Sequence, residues 1–442
     1  MQTPCRHLAK VARLAQVPFF ILFTALFAIA PARAADEPGT WILRGAKMYA
    51  APDLAPITDG VVLVRGDRIV AAGDKASVAI PAGARESTCS GGIIAAGFQN
   101  SHVHFVDAGW NAAGNQSAGE LTQKLVTMLT RYGYSTVVDI ASDRANTLAL
   151  RARIERGGAG SGWGDVRGPR ILTAGLPLFP LNGIPIYLDH FSPEFLARLP
   201  QPADVEAAVK VVRENLDAGA DATKLFVATP QAGRRIQRIP ADIARAAADE
   251  THRRGKLVLA HPTDIAGVEA SLAAGVDILA HTTLGVETPW PEALRRQVIQ
   301  QGMSLIPTLK LMSYELSKEK GPVPPEISAR LVDASIAHVR TFVAAGGQVL
   351  FGTDVGYMSD VDPTEEYVLM AKAGMSPMQI LASLTTAPAV RWKESNRRGR
   401  VAAGLDADLV VLDADPATDV ANFAKVRCTI SRGRTIYSRS GG

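Results

Sequence analysis

Short apolar runs that end in a histidine or an aspartate recur through most of this 442-residue chain. His102 and His104 close GFQNSHVHF, His261 follows LVLA, His281 follows DILA, and Asp354 follows VLFGT. Lys224 lies inside a similar run, DATKLFV. Each run reads as a buried strand. Packing alone gives no reason for strand after strand to finish in imidazole or carboxylate. Parallel strands gathered into a barrel deliver the residues at their carboxyl ends to one mouth. The spacing therefore points to an α/β fold that converges these side chains on one centre, and the donor types point to a metal.

The middle of the chain alternates strand and helix patterns. Candidate strands are Gly92–Ala96, Thr136–Ile140, Arg170–Ala174, Thr223–Val227, Leu257–Ala260, Asp277–Ala280, Ser304–Pro307 and Gln348–Gly352. Amphipathic stretches such as PADVEAAVKVVRENLDAGA and PADIARAAADETHRRG separate them, several ending in glycine as a helix C-terminus does. Strand–helix units in this number predict a (β/α)8 barrel over residues 92–397. Residues 35–91 and 398–442 instead read as short strands with turns, including a hairpin signal at Gly66-Asp67, and predict one small domain built from both ends. The segments Gly157–Gly164 and Thr229–Arg238 break the alternation; the first reads as a loop, and the second is expected over the mouth.

The first 34 residues have the layout of a secretory leader: Arg6, Lys10 and Arg13, then an apolar run from Val17 to Ala30, then Ala32-Arg33-Ala34. The expectation is export, to the periplasm or beyond. The whole chain carries 47 Lys and Arg against 43 Asp and Glu. Arg6, Lys10, Arg13 and Arg33 lie in the leader, which has no acid, so the remainder is electrically balanced. That balance excludes an electrostatic footprint for nucleic acid. No other long apolar stretch exists, so no membrane association is expected once the leader is gone. Cys89 and Cys428 could pair after export; two unlinked buried cysteines are the favoured expectation.

His102 and His104 are two apart, so on an extended strand both imidazoles face one side and can reach one cation. His261 and His281 each end a strand with one helix between, which places them side by side on neighbouring barrel strands. An ammonium cannot bind a cation, and Lys224 is costly to bury as a charge. Converted to a carbamate, its oxygens could bridge two metals. Asp354 is placed to serve as ligand and proton acceptor, ionised beside the cations. His252 and His338, on helix faces, read as structural; His190 stays open.

At this point the chain resembles the amidohydrolase superfamily, in its imidazolonepropionase-like branch with metal-dependent Xaa-Pro dipeptidases. The matching pieces are GFQNSHVHF, GADATKLFV, LVLAHP…AGVDILAHTT, LFGTD and the tail GRVAAGLDADLVVLDADP. The resemblance implies a (β/α)8 barrel with a composite β-sandwich from both ends. It implies two divalent ions, zinc being expected: His102, His104 and Asp354 on the first, His261 and His281 on the second, and N6-carboxylated Lys224 bridging. The usual Pro-Gly and Asp before H-x-H are here Ala96-Gly97 and Asn100, and a second histidine common after the position of His261 is Thr263.

The expected activity is hydrolysis of an amide or peptide bond in a small substrate, a dipeptide or N-acyl amino acid, with Asp354 moving the proton. Arg234, Arg235 and Arg238, or Tyr357, are candidate holders of a substrate carboxylate. Alternatives on the same site are a mononuclear ring hydrolase or deaminase, and a lactonase or phosphotriesterase-type esterase. A binding protein on a disabled scaffold is disfavoured because no ligand position is missing. A homo-oligomer is possible for such barrels.

Overall fold

The computed structural model describes residues 39–155, 164–189, 191–283, 288–318 and 323–439. The expected leader at 1–34, His190, all but the last residue of the loop expected at Gly157–Gly164, and the side chain of Arg234 lie outside the described residues.

The chain enters through five strands: β1 (Thr40–Tyr49), β2 (Ile57–Arg65), β3 (Arg68–Asp74), β4 (Arg85–Glu86) and β5 (Gly92–Ala96). The β2–β3 hairpin turns at Gly66, whose φ of 60° is free of Cβ crowding in glycine. The sequence suggested β5 as the first strand of the central barrel. It instead pairs parallel with β1 and so belongs to the terminal sheet. The chain leaves that sheet at Gly97, where a Cβ would stand 2.3 Å from the Ser135 hydroxyl oxygen.

The parallel strands begin one step later, at β6 (Phe98–Val103), β7 (Tyr134–Asp139) and β8 (Arg170–Thr173), which form one three-stranded sheet. Next come β9 (Ala222–Phe226) and the hairpin of β10 (Ala228–Gln231) with β11 (Arg235–Arg238). Then follow β12 (Leu257–His261), β13 (Ile278–Ala280), β14 (Ser304–Ile306) and β15 (Gln348–Val349). Strands β9 and β12 to β15 make a five-stranded sheet in the order β15-β14-β13-β12-β9. No continuous ladder joins the two parallel sheets among the described residues, but single backbone hydrogen bonds cross both seams. Asp221 N donates to Thr173 O at 2.7 Å, and Ser101 N to Phe351 O at 2.8 Å. Strands β6, β7 and β9 are buried throughout, as parallel strands covered on both faces must be.

The intervening helices start where the sequence supplies caps. Asp204 accepts from Ala207 N and Asp264 from Gly267 N, both at 2.8 Å. Gly275, with φ of 83°, ends the helix Ile265–Ala274.

The chain closes with β16 (Leu409–Leu412), β17 (Val426–Ser431) and β18 (Arg434–Ser438). These return to the entry strands in the order β18-β17-β16-β5-β1-β2-β3, with β4 beside β1. The ladders thus unite both chain ends in a single eight-stranded sheet, where a two-sheet sandwich was expected. Cys89 and Cys428 are bonded, against the expectation of unlinked thiols. Antiparallel pairing of β16 with β5 and with β17 carries Cys428 to the segment before β5, where the two Cα atoms lie 5.9 Å apart. That separation is within disulfide reach. No helix among the described residues is long and apolar enough to cross a membrane.

Candidate metal centre

The carboxyl ends of the parallel strands converge. His102 lies on β6 and His104 one residue past its end; the two-residue spacing turns both rings to one side, with their Nε2 atoms 3.1 Å apart. Asp354 follows β15 and brings Oδ1 to 3.1 Å from His102 Nε2 and 2.8 Å from His104 Nε2. These three buried groups are the tight cluster of metal-capable donors among the described residues. His261 ends β12 and His281 follows β13, their ring centroids 4.8 Å apart; the His281 ring is 4.7 Å from that of His102. His281 Nε2 is 3.9 Å from Asp354 Oδ2. Lys224 lies within β9 and is buried, its ammonium 5.2 Å from the Phe226 ring centroid. All six line one cavity of about 470 Å³.

Neighbouring groups fix the ring orientations. His104 Nδ1 meets the Ala141 carbonyl at 3.1 Å, so it carries the proton and leaves the Nε2 lone pair facing Asp354. Thr308 Oγ1 donates to the Pro307 carbonyl at 2.8 Å and is therefore left to accept from His281 Nδ1 at 2.5 Å. That again turns Nε2 into the cavity. Asn100 accepts from His102 N at 3.1 Å and donates to Thr353 Oγ1 at 2.7 Å. It ties the strand of the two histidines to the segment of Asp354. Beneath His104, Asp139 accepts from the hydroxyls of Ser142, Thr147 and Thr173. Neither Thr308 nor Asp139 stands out in the sequence, since hydroxyls and an acid at strand ends are common.

The backbone is strained at the same rim. His281 and Asp354 have φ of 75° and 58°, and Thr263 and Thr308 have 60° and 44°. Left-handed conformations at residues with a Cβ cost of order 1–3 kcal/mol each and persist where the surroundings enforce them.

Burial sets the protonation states. It lowers His102 to about 4 and His261 to about 3, and pushes His281 well below the usual imidazole range. All three are neutral ligands-in-waiting at neutral pH. Burial pushes Asp354 up, but positive charge at the adjoining His102 and His104 would hold it well below the usual carboxylate range, the charge that a bound cation would supply in their place. Desolvation lowers Lys224 to about 7, so much of it is free amine near neutrality. Asp354 Oδ1 and His102 Nδ1 are buried without a hydrogen-bond partner. An ionised oxygen facing an imidazole lone pair at 2.8 Å is two acceptors in contact, which a divalent cation resolves. The donor set fits a metal.

Of the arginines considered for a substrate carboxylate, Arg235 and Arg238 are turned elsewhere. Arg235 is exposed and bonds the Ala232 carbonyl, while Arg238 pairs with Asp264. Tyr357 does line the cavity and donates to Glu315 at 2.8 Å. His252 pairs with Asp277, and His338 packs against Trp290, both away from the centre.

An α/β chain with imidazoles and a carboxylate gathered at its strand ends belongs to the class of metal-dependent hydrolases. The model of the amidohydrolase family matches residues 93–436, and the chain belongs to that family, hydrolases of carbon–nitrogen bonds. It is 24% identical to the imidazolonepropionase of Thermoplasma acidophilum over 416 residues, spanning 86% of this chain and 89% of that protein. It is 23% identical to an ochratoxinase of Aspergillus niger over 201 residues, 44% of this chain and 40% of that protein. Among solved structures, a Xaa-Pro dipeptidase with bound methionine superposes with a TM-score of 0.73 at 18% identity, covering 90% of this chain and all of the other. The A. niger ochratoxinase structure gives a TM-score of 0.74 at 18% identity, covering 92% and 98%. These likenesses establish the shared fold.

Proposed function

We propose that this protein is an exported hydrolase that cleaves an amide bond in a small organic substrate with two divalent cations. His102, His104 and Asp354 would hold one and His261 and His281 the other, with Lys224, carboxylated on its amine, as a further ligand. The observation that carries the reading is Asp354 Oδ1, buried, ionised, unbonded to any donor and faced by two imidazole nitrogens. Free amine at Lys224 is the form that adds carbon dioxide, and its burial among the other five supports that role. The two parallel sheets are read as one (β/α)8 barrel running from β6 at Phe98 to residue 397, supported by the hydrogen bonds across its seams. The strands β1 to β5 and β16 to β18 are read as the second domain. The Cys89–Cys428 bond supports export to an oxidising compartment.

Divalent cations in such a site polarise the scissile carbonyl and bring water towards ionisation near neutral pH. Asp354, held ionised, accepts the proton of the attacking water and delivers it to the departing nitrogen. Thr308 and Ala141 keep His281 and His104 from turning their Nε2 atoms away. The imidazolonepropionase likeness favours a second reading, ring hydrolysis at a single metal. Metal content of protein purified with zinc and bicarbonate, measured beside turnover of a dipeptide and simple-amide library, separates them. About two metals per chain with amide cleavage supports the first. One metal without amide cleavage refutes it.

A further inference from the structure

The wall around the six residues is largely hydrocarbon. Phe179 stacks on Phe226 with centroids 4.4 Å apart and planes 16° apart, and Phe226 lies over His261 at 5.2 Å and 26°. This aromatic column ends on a candidate ligand. The facing wall is aliphatic, with Leu311 and Leu316 from the helix Lys310–Ser317 and Leu331 from the helix Pro325–Ala344. Apart from the six residues of the centre, the one charged side chain lining the cavity among the described residues is Glu315. Its Oε1 accepts from Tyr357 at 2.8 Å and from Lys318 at 3.0 Å.

From this we infer that the chamber takes amides carrying an uncharged aromatic group and discriminates against substrates with a free carboxylate, an inference that rests on the amide-hydrolase reading. A carboxylate entering this cavity loses its water and finds no guanidinium among the described lining side chains to replace it, and the Glu315 carboxyl, already held by Tyr357 and Lys318, offers it no donor. An arene instead continues the Phe179–Phe226–His261 stack in offset or edge contact. A cavity of about 470 Å³ suits a molecule of two rings, whereas a short polar dipeptide leaves apolar wall facing water. The carboxylated dipeptide or N-acyl amino acid expected from the sequence is thus narrowed to its neutral, aromatic counterpart.

The test uses two substrates of one skeleton, N-benzoylphenethylamine and N-benzoylphenylalanine, which differ by the carboxylate alone. With zinc-loaded full-length protein, the neutral amide is expected to show kcat/KM at least tenfold higher. Phe179→Ala should lower that value severalfold, and Leu331→Arg should narrow the gap by raising turnover of the acid. Equal or better turnover of the acid by the unaltered protein overturns the inference and leaves amide hydrolysis standing. If neither amide is cleaved, the function reading fails, and binding to metal-free protein still decides the chamber. There, a neutral diaryl sulfonamide, which resists hydrolysis, should bind at least tenfold more tightly than its carboxylated analogue; equal affinities refute the discrimination. Should Phe179→Ala disturb folding, the Leu331→Arg gap and the sulfonamide pair carry the test.

Discussion

Replacing Glu366 with glutamine should stabilise the protein at pH 8 and do little at pH 4. Glu366 is buried on the helix Thr364–Lys372, where Oε2 accepts from Lys310 N at 2.8 Å and Oε1 has no partner. Burial raises its carboxyl from 4.5 to about 7, outweighing the backbone donors at Lys310 and Leu309. Between those values the folded chain keeps a proton that the unfolded chain has released, so stability falls as pH rises through the window. Below it both states are protonated, and above it both are ionised, with the loss complete. A shift of this size corresponds to about 3 kcal/mol. Glutamine fills the same space without ionising. Urea unfolding followed by tryptophan fluorescence, with Trp110 and Trp290 buried as reporters, should show the variant drawing ahead by about that amount between pH 4 and pH 8. Other titrating groups are common to both proteins and cancel in the difference. Parallel stability curves across this range would refute the reasoning.

Asp354→Asn should lower kcat by roughly 10²–10⁴-fold with most of the bound metal retained, checked by metal analysis beside turnover; near-normal turnover removes Asp354 from proton transfer. Thr308→Val removes the acceptor for His281 Nδ1 and should weaken metal affinity or activity by about 10–100-fold, read by titration against a competing chelator. Cys89→Ser with Cys428→Ser should cost about 2–5 kcal/mol in the same urea assay, since the bond closes a separation of 339 residues. Loss of less than about 1 kcal/mol would mean the sheet holds the ends together unaided.

The six candidate residues were readable because each sits at or in an apolar strand, a pattern that side-chain chemistry makes conspicuous. The strand carrying two of them was less so. In FQNSHV the three polar residues Gln99, Asn100 and Ser101 are all buried. Gln99 donates to the Thr385 carbonyl at 2.9 Å and Asn100 bonds Thr353, partners distant in sequence. GIIAA looked the better barrel strand, and the ladder that claims it for the terminal sheet forms with residues far along the chain. The cavity walls were illegible for another reason. Phe179 comes from an irregular segment, and Leu311 and Leu316 from a helix face whose direction only packing decides. The disulfide has the same origin: nothing local to Cys89 announces a partner that strand order alone brings near.

The placement of β5 dictates when this protein can be finished. Its neighbour β16 is made of Leu409–Leu412, so a chain still being synthesised holds Gly92–Ala96 with one edge unpaired until that distant strand emerges. Closing so long a loop is slow, and an open apolar strand edge is what chaperones bind and aggregates recruit. Removing β16 to β18 therefore removes more than a tail. It leaves β5 paired on one side with β1 alone, and leaves all six candidate ligands in a chain whose terminal sheet cannot close.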